Sequence, residues 1–503
     1  MATSLTTGRP WRVILLFTLP LMIGNVVQQL YHFADTIVVG RLLGVDALAA
    51  VGATGSLLFL LLGFAWGLTS GFAIPTAQAY GAMDAAGVRR SVATGAVLSG
   101  ITTVILTVGA PLLAEPALVA LQTPPELLAD ATIFTQVSFL GAGALMFFNF
   151  LSAVIRAIGD SRTPLVFLIV ACALNVVLVI AAIAWLGLGV AGAALATVVA
   201  QGVSVLLCLE FVRRRIPELH LKREDWRITR ADIVAHLRLG LPMGFQASII
   251  AIGALTVQVA LNTLGGEAIA AYTAASRVDG LAVALLQSMS LAVSMYVAQN
   301  YGAGRPDRIR RGVVQATWIA VAAAVALGIL LISLGGPIVR IFVGNGADDV
   351  VHLAVSMLVI NGFSYTALGV LFVTRGALQG LGNAVIPTVT GVVELVARAA
   401  AAILLGALFG FIGVAWSNPL AWISAAIILI PAYIRAHRML ATMPMAPMTI
   451  TPTTPIAVIG PVDGSMTVET VVTQPVPLPK PTSRMRRALR RRAGTSRRLA
   501  RKR

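Results

Sequence analysis

The residues best able to do chemistry in this sequence lie in one apolar stretch, Trp11–Gly44. It contains the carboxylate Asp35, with Gln28 and His32 before it at three- and four-residue spacing, which places the three near one another on a helix. A carboxylate within a membrane span costs about 2.5–3.5 kcal/mol or more, so such residues usually mark ion or substrate pathways. We predict that Asp35 takes up a proton or a cation, with Gln28 and His32 as candidate relay or substrate contacts. The alternative is a structural hydrogen-bond acceptor near the outer interface.

Two prolines at matching places in the chain predict hinges near this stretch. Pro20 lies before Asp35 in the same apolar run, and proline breaks the helical hydrogen-bond ladder. The pair Leu19-Pro20 returns later as Leu241-Pro242. Paired interruptions in corresponding helices point to the moving elements of a transporter. Pro20 and Pro242 are therefore predicted hinges, although kinks without a role would look the same.

The composition is that of an integral membrane protein. Of 503 residues, 58% are hydrophobic and 11% are charged, whereas soluble proteins carry about 25% charged residues. Apolar runs long enough to cross a hydrocarbon core of about 30 Å recur along the chain. The predicted spans, about twelve in number by that length criterion, are 11–41, 47–79, 91–114, 130–156, 164–186, 189–212, 239–264, 267–298, 312–335, 350–376, 387–408 and 411–434.

The second half of the chain repeats the landmarks of the first in one register. The motif Ala77-Gln-Ala-Tyr-Gly-Ala82 returns as Ala298-Gln-Asn-Tyr-Gly-Ala303, and Gly189-Val-Ala-Gly192 returns as Gly410-Phe-Ile-Gly413. Because each half holds an even number of spans, both halves enter the membrane from the same side. They are predicted to be parallel repeats related by an axis along the membrane normal.

Loop charges predict the orientation and the domain limits. Arginines gather in alternate loops, including Arg89, Arg90 and the stretch 213–238, and the opposite loops are rich in acids. The positive-inside rule therefore places both termini in the cytoplasm of a multi-pass protein of the cell membrane. The predicted segments are a cytoplasmic N-terminus at 1–10, a first lobe at 11–212, a basic cytoplasmic linker at 213–238, a second lobe at 239–438 and a tail at 439–503.

The net charge of +17 does not indicate a nucleic-acid-binding protein. Twelve of the 37 lysines and arginines lie in the last 24 residues, after a part of the tail rich in proline and threonine. No aromatic residue interleaves these charges to stack on bases. We expect a disordered tail whose basic end lies near anionic lipid headgroups, where each cation contributes about 1 kcal/mol.

Other polar residues interrupt the later spans. Asn175 and Thr197 each place a polar group within an apolar run, which predicts hydrogen bonds between helices. Asp279 lies in the span 267–298, and a structural role and a functional one are equally open for it. Glu394 and Arg398 are four residues apart, which suits a structural ion pair on one helical face.

Enzymatic motifs are missing from the sequence. It has no Walker A pattern, no GxSxG elbow and no cluster of residues with metal-ligand spacing. We therefore expect no enzyme, no cofactor and no metal site, so that the energy comes from an ion gradient or transport is not driven at all.

The run from Gln28 to Arg41, followed by Gly44 and by Ala47–Gly52, resembles the first helices of the multidrug and toxic compound extrusion (MATE) transporters. The two Ala-Gln-x-Tyr-Gly-Ala motifs, the run ending at Asp160 and Arg277-Val-Asp279 are similar to the same family. The resemblance covers about residues 10–438 and is nearest to the prokaryotic branch with an ion site in the first lobe.

The resemblance implies an all-α integral membrane fold of two pseudo-symmetric six-helix lobes around a central cleft. It also implies export of organic compounds, often cationic and amphipathic, in exchange for protons or sodium ions. The family's ion-site residues fall on Asp35, Asn175 and Thr197, and its bending proline falls on Pro20.

This sequence departs from the family pattern at one residue of that site. The family's second acid, four residues after the asparagine, falls on Val179. A sodium ion needs several oxygen ligands and a matching charge, whereas a proton needs only Asp35, so proton coupling is favoured. The ion site of another branch is missing too, because its acids fall on Gln246 and near Leu368. Gln246 and Asp279 remain candidate relay or substrate contacts.

The sequence thus predicts a monomeric proton-coupled exporter of small organic compounds. Three alternatives stay open: sodium-coupled export, a flippase for lipid-linked precursors, and a membrane protein that does not transport and recruits partners through its basic tail.

Overall fold

The computed structural model describes residues 4–121, 123–343 and 347–443, and the secondary structure of these residues is helical. A π-helical turn extends the sixth helix, and two short 3₁₀ turns lie in the connection after the seventh. In chain order the α-helices are α1 (Pro10–Leu43), α2 (Val45–Gly81), α3 (Ala85–Ala120), α4 (Pro125–Leu140), α5 (Ala142–Ala157), α6 (Arg162–Ile180), α7 (Gly189–Arg215), α8 (Arg230–Asn262), α9 (Gly266–Gly302), α10 (Pro306–Val343), α11 (Asp348–Gly380), α12 (Val385–Ala415) and α13 (Ser417–Thr442).

The expected all-α membrane fold of about twelve spans is confirmed. Eleven helices of the described chain are long and apolar enough to cross a membrane, and the bent pair α4 and α5 makes a twelfth span. The span expected at 130–156 is broken, because α4 and α5 meet at 47° around Gly141. A side chain at Gly141 would overlap Val198 of α7. Glycine therefore lets the bend pack directly against that helix.

The backbone follows the sequence repeat. Residues with left-handed φ recur in both halves at matching places, between two helices, at a helix start or at a helix kink. The corresponding pairs and their φ angles are Gly44 (88°) with Gly265 (93°), Met83 (57°) with Gly304 (63°), Gly159 (95°) with Gly382 (86°), and Gly189 (55°) with Gly410 (59°). The kink at Gly410 lies inside a helix that continues to Ala415, so the last span begins at Ser417 rather than at the expected residue 411.

The helices form two lobes, α1–α7 and α8–α13, which meet mainly through α2 with α8 and α9 and through α1 with α9. We call the end where α7 leads into α8 the linker end and the opposite one the far end. Toward the linker end the backbones of α2 and α8 meet, since a side chain at Gly71 would overlap Gly240. Toward the far end, Gly52 and Gly55 of α2 face open space. The gap between the lobes therefore widens toward the far end.

The linker is held against the first lobe. Asp225 is buried, accepts the Arg89 guanidinium at 3.0 Å and accepts the backbone N–H of Lys222 at 2.7 Å. Thr229 then begins α8, since its hydroxyl accepts the backbone N–H of Asp232 at 3.2 Å. The expected linker 213–238 thus includes the end of α7 and the start of α8. The tail predicted at 439–503 begins inside α13, which ends at Thr442, and its part from residue 444 lies outside the described residues.

Candidate functional site

A hydrogen-bonded group in the first lobe brings together α1, α6 and α7. The Thr197 hydroxyl donates to the Ala193 carbonyl at 3.2 Å and accepts the Asn175 amide at 3.0 Å. Tyr31 lies 3.1 Å from the same hydroxyl, and since the Thr197 hydrogen is already used, Tyr31 is the donor. The predicted pair Asn175 and Thr197 is thus joined, and Tyr31 is added to it.

Asp35 lies one helical turn after Tyr31, at the edge of this group. Its Oδ1 atom is buried and has no hydrogen-bond partner among the described residues, and the Oδ1 atom of Asn175 is in the same condition. A buried acceptor without a donor costs roughly 1–3 kcal/mol. A proton on Asp35, or a cation beside its carboxylate, would remove that cost at Asp35.

Val179 closes the same site from α6. It is fully buried in an apolar cluster with Val39 of α1 and Ala193 of α7. Val39 lies one turn after Asp35, and Ala193 one turn before Thr197. The place of the family's second acid is therefore an apolar contact between three helices.

The polar residues that precede Asp35 on α1 have other surroundings. Asn25 donates across to the second lobe, to the Ala284 carbonyl at 3.1 Å and to the Ser288 hydroxyl at 2.8 Å. Gln28 and His32 are exposed. The structure does not bring the predicted relay residues Gln28 and His32 into the hydrogen-bonded group beside Asp35.

Asp279 is buried in the second lobe between α9 and α11. Its Oδ1 atom accepts the Tyr365 hydroxyl at 2.6 Å and the Asn361 amide at 3.0 Å. Tyr365 and Asn361 are four residues apart on α11 and so share one face. Asp279 therefore has protein donors, unlike the Oδ1 atom of Asp35.

The pair Glu394 and Arg398 has a third member. Arg375 of α11 donates to Glu394 at 2.7 Å, whereas Arg398 lies 3.5 Å from the other oxygen of the same carboxylate. All three side chains are buried. Arg375 is thus the nearer partner of Glu394 and ties α11 to α12.

Gln246 of α8 serves as a bridge within the second lobe. Its amide donates to the Pro387 carbonyl at 3.0 Å, and its oxygen accepts the Gln379 amide at 3.1 Å. The two predicted hinge residues, Pro20 and Pro242, lie inside continuous helices. The Pro242 carbonyl accepts the Thr388 hydroxyl of α12 at 2.8 Å, so α8 is held to α12 at this proline.

The repeated Ala-Gln-x-Tyr-Gly-Ala motifs join the two lobes at the linker end. Gln78 of the first lobe donates to the Gly380 carbonyl of the second at 3.0 Å. Gln299 of the second lobe donates to the Ala157 carbonyl of the first at 2.7 Å. We call these two bonds the glutamine lock.

The segment before α1 covers the lock on one side. Leu5 is 1% exposed, its N–H donates to Gln299 at 3.0 Å, and its carbonyl accepts Asn300 at 3.1 Å. Arg308 of α10 donates to the Gly8 carbonyl at 2.8 Å. Residues 4–9, which we call the N-terminal strap, thereby tie the start of α1 to the second lobe.

Sequence reasoning did not identify several residues of these groups. Tyr31 lies in the stretch Trp11–Gly44, and Gln78 and Gln299 lie in the repeated motif. The sequence around them does not indicate which residues they bond. Arg375 falls at the end of a predicted span, where an arginine indicates the membrane interface. Its pairing with Glu394 depends on how α11 packs against α12.

Comparison with known families agrees with the repeated architecture. The family model described as MatE matches residues 20–181 and again residues 242–404, one match in each lobe. The chain is 28% identical over 385 residues to the probable multidrug resistance protein YpnP of Bacillus subtilis, a match that covers 76% of this chain and 85% of that protein. It is 24% identical to the multidrug export protein MepA of Staphylococcus haemolyticus, over 81% of this chain and 89% of that protein.

Solved structures share the fold. A MATE crystal structure in complex with MaL6 superposes with a TM-score of 0.82 at 24% identity, covering 87% of this chain and 98% of that one. An outward-facing multidrug resistance MATE transporter of the MOP superfamily gives a TM-score of 0.81, also at 24% identity, covering 88% of this chain and 99% of that one.

Proposed function

Because the chain belongs to the MatE family of membrane transporters and is not an enzyme, we propose that it exports small organic compounds across the cell membrane in exchange for protons, with Asp35 as the proton site. The relatives named as multidrug resistance and multidrug export proteins support the export of drug-like compounds. The relatives' names do not bear on the coupling ion or on Asp35, and both are argued below from this chain's own residues.

One observation carries the assignment of Asp35: two buried oxygens, Asp35 Oδ1 and Asn175 Oδ1, have no donor within the described part of the chain. A proton needs no further ligands, which suits a site where Val179 takes the place of a further oxygen ligand beside Asp35, Asn175 and Thr197. A sodium ion would use the same two oxygens, so sodium-coupled export is the second candidate. It would have to bind with one carboxylate and an apolar contact where a ligand should be.

The coupling would act through α1. An unprotonated Asp35 carries a charge that the surrounding helices must accommodate, and protonation removes it. The change alters the packing of α1 against α6 and α7. Since α1 also contacts α9 through Asn25, the packing of α1 can bias how the two lobes meet. Pro20 frees the Leu16 carbonyl from its helical bond and gives α1 a place to bend.

Loop charges support a cytoplasmic position for the linker end. In that orientation the glutamine lock closes the cytoplasmic side, and the gap between the lobes opens outward. Export then requires the lock to break, so that compound can enter from the cytoplasm while the far end closes.

The test is dye efflux from vesicles that contain the purified protein, driven by a proton gradient or by a sodium gradient alone. We expect efflux with the proton gradient, and we expect Asp35→Asn to abolish it while the protein stays folded. Asp46→Asn is the matched control, because Asp46 is exposed at the start of α2. Efflux driven only by sodium would favour the second candidate. Proton-driven efflux that survives Asp35→Asn would overturn the proposed site.

A further inference from the structure

Arg277 is a charged residue of α9 exposed between the lobes. It lies eleven residues after the start of the helix, which is about 16 Å along the axis. Its guanidinium carbon lies 6.0 Å from the centre of the Phe33 ring of α1, in the other lobe. Both side chains are exposed, and His32 beside Phe33 is exposed as well. The three residues therefore lie where the two lobes face each other.

The direction of Arg277 follows from its neighbours along α9. Ala284 and Ser288 are seven and eleven residues later, on the same helical face, and both bond Asn25 of α1. This face of α9 is therefore directed at the first lobe, and Arg277 lies beyond the last of those bonds, toward the far end. Arginine exposed to hydrocarbon is costly, so an exposed arginine at this depth lies in a water-filled space.

The other charges within the helices do not balance Arg277. No carboxylate of the described residues lies within 4.0 Å of its guanidinium, since it takes part in no ion pair. Asp279 and Glu394 are buried inside the second lobe and already accept protein donors. Asp35 follows Phe33 by two residues, which places it on roughly the opposite side of α1. At the level of Phe33 the gap therefore presents a cation without an acid.

We propose that Arg277 binds an anionic group, a carboxylate, sulfonate or phosphate, on an amphipathic compound that enters the gap between the lobes. The planar guanidinium lies near the Phe33 ring and has no hydrogen-bond acceptor among the residues that the structure describes, so two of its N–H donors can hold two oxygens of one anion. The Phe33 ring gives the apolar part of the compound a surface to pack on. This assignment rests on the proposed export function and names its substrate class, which differs from the cationic compounds that the resemblance implies.

The test uses two dyes of opposite charge built on the same xanthene scaffold, fluorescein and a cationic rhodamine ester. Binding to the purified full-length protein is measured by fluorescence anisotropy, without any ion gradient. We expect fluorescein to bind wild-type protein at least tenfold more tightly than the rhodamine ester. Arg277→Gln should weaken fluorescein binding tenfold or more, and Arg277→Lys should restore part of it. Arg41→Gln, which removes another exposed arginine of the same region, should leave fluorescein binding unchanged.

The outcomes separate this inference from the proposed function. Fluorescein binding that depends on Arg277 would support the inference even if no proton-driven efflux were found. Tighter binding of the rhodamine ester, no fluorescein binding, or an equal loss in Arg41→Gln would overturn it.

The anion could also be a lipid headgroup, so binding is repeated in nanodiscs of phosphatidylcholine with and without phosphatidylglycerol. Fluorescein binding that phosphatidylglycerol leaves unchanged supports an exported compound. Loss of fluorescein binding only in phosphatidylglycerol would show that a headgroup takes the site, and would overturn the assignment to an exported compound.

Discussion

Gln78 and Gln299 make the same hydrogen bond in opposite directions across the two lobes. Gln78 donates to Gly380, the last residue of α11, and Gln299 donates to Ala157, the last residue of α5. Each acceptor is the last residue of its helix, just before the turn that follows. The sequence repeat thus produces a reciprocal closure at the linker end, and the backbones approach closely there because glycines follow both glutamines.

A side chain added at the closure should separate the lobes. In Gly302→Ala the new methyl group would overlap the Gln78 carbonyl, which belongs to a helix backbone and cannot rotate away. We expect a longer distance between spin labels at Met83 and Arg311, two exposed positions in opposite lobes. Gly109→Ala is the control, because Gly109 faces open space. An unchanged distance distribution in Gly302→Ala would contradict the closure.

The N-terminal strap should stabilise the same closure. Leu5→Ala truncates a side chain that is 1% exposed. Such a change at a buried site typically lowers the stability of the packing around it by about 2–5 kcal/mol. We expect faster hydrogen exchange at residues 4–9 and at the end of α5, where Gln299 donates. Thr7→Ala serves as the control, since Thr7 is exposed and its carbonyl is kept. Equal exchange in the two variants would show that the strap does not hold the lobes.

The sequence was sufficient for the spans and the repeat, because hydropathy and turn glycines are local signals, whereas both ends of α3, α10 and α13 lie six or more residues from the predicted limits. It was not sufficient for the faces of α1. Asn25 and Asp35 are linked by steps of three and four residues, yet ten residues leave them about 80° apart around the helix. That drift directs Asn25 to α9 and leaves Asp35 near Tyr31. Which helix then lies opposite each face is decided by packing between distant parts of the chain, as with Arg375 and Glu394.

The buried Glu394 group should respond unequally to removal of its members. Glu394→Gln leaves Arg375 and Arg398 without their acid, and breaking a buried pair typically costs about 3–5 kcal/mol. Arg375→Gln should destabilise more than Arg398→Gln, because Arg375 lies at 2.7 Å and Arg398 at 3.5 Å from the carboxylate. Thermal unfolding in detergent measures all three.

The control for that series is Asp348→Asn, which breaks the exposed pair with Arg340. Exposed pairs contribute about 0–1 kcal/mol. A larger loss in Asp348→Asn than in Glu394→Gln would mean that burial does not set the strength of these pairs.

Val179 should decide which ion the first-lobe site accepts. Val179→Asp would place a second carboxylate among α1, α6 and α7, beside the buried oxygen of Asn175. Two carboxylates in one buried site repel unless a proton or a cation is shared between them. We expect sodium chloride, compared with choline chloride, to raise the unfolding temperature of this variant. If sodium at a hundredfold excess over its Kd binds only the folded variant, it raises the free energy of unfolding by about 2.7 kcal/mol.

Val179→Asn separates charge from polarity in this experiment. It adds an oxygen to the same place without a second charge, so sodium should stabilise neither this variant nor the wild-type protein. Sodium stabilisation of the wild type would instead mean that Asp35, Asn175 and Thr197 already bind the ion, and the sodium-coupled alternative would replace proton coupling. If Val179→Asp folds but gains nothing from sodium, Val179 does not lie where a second ligand acts, and the apolar contact is not the reason for proton selectivity.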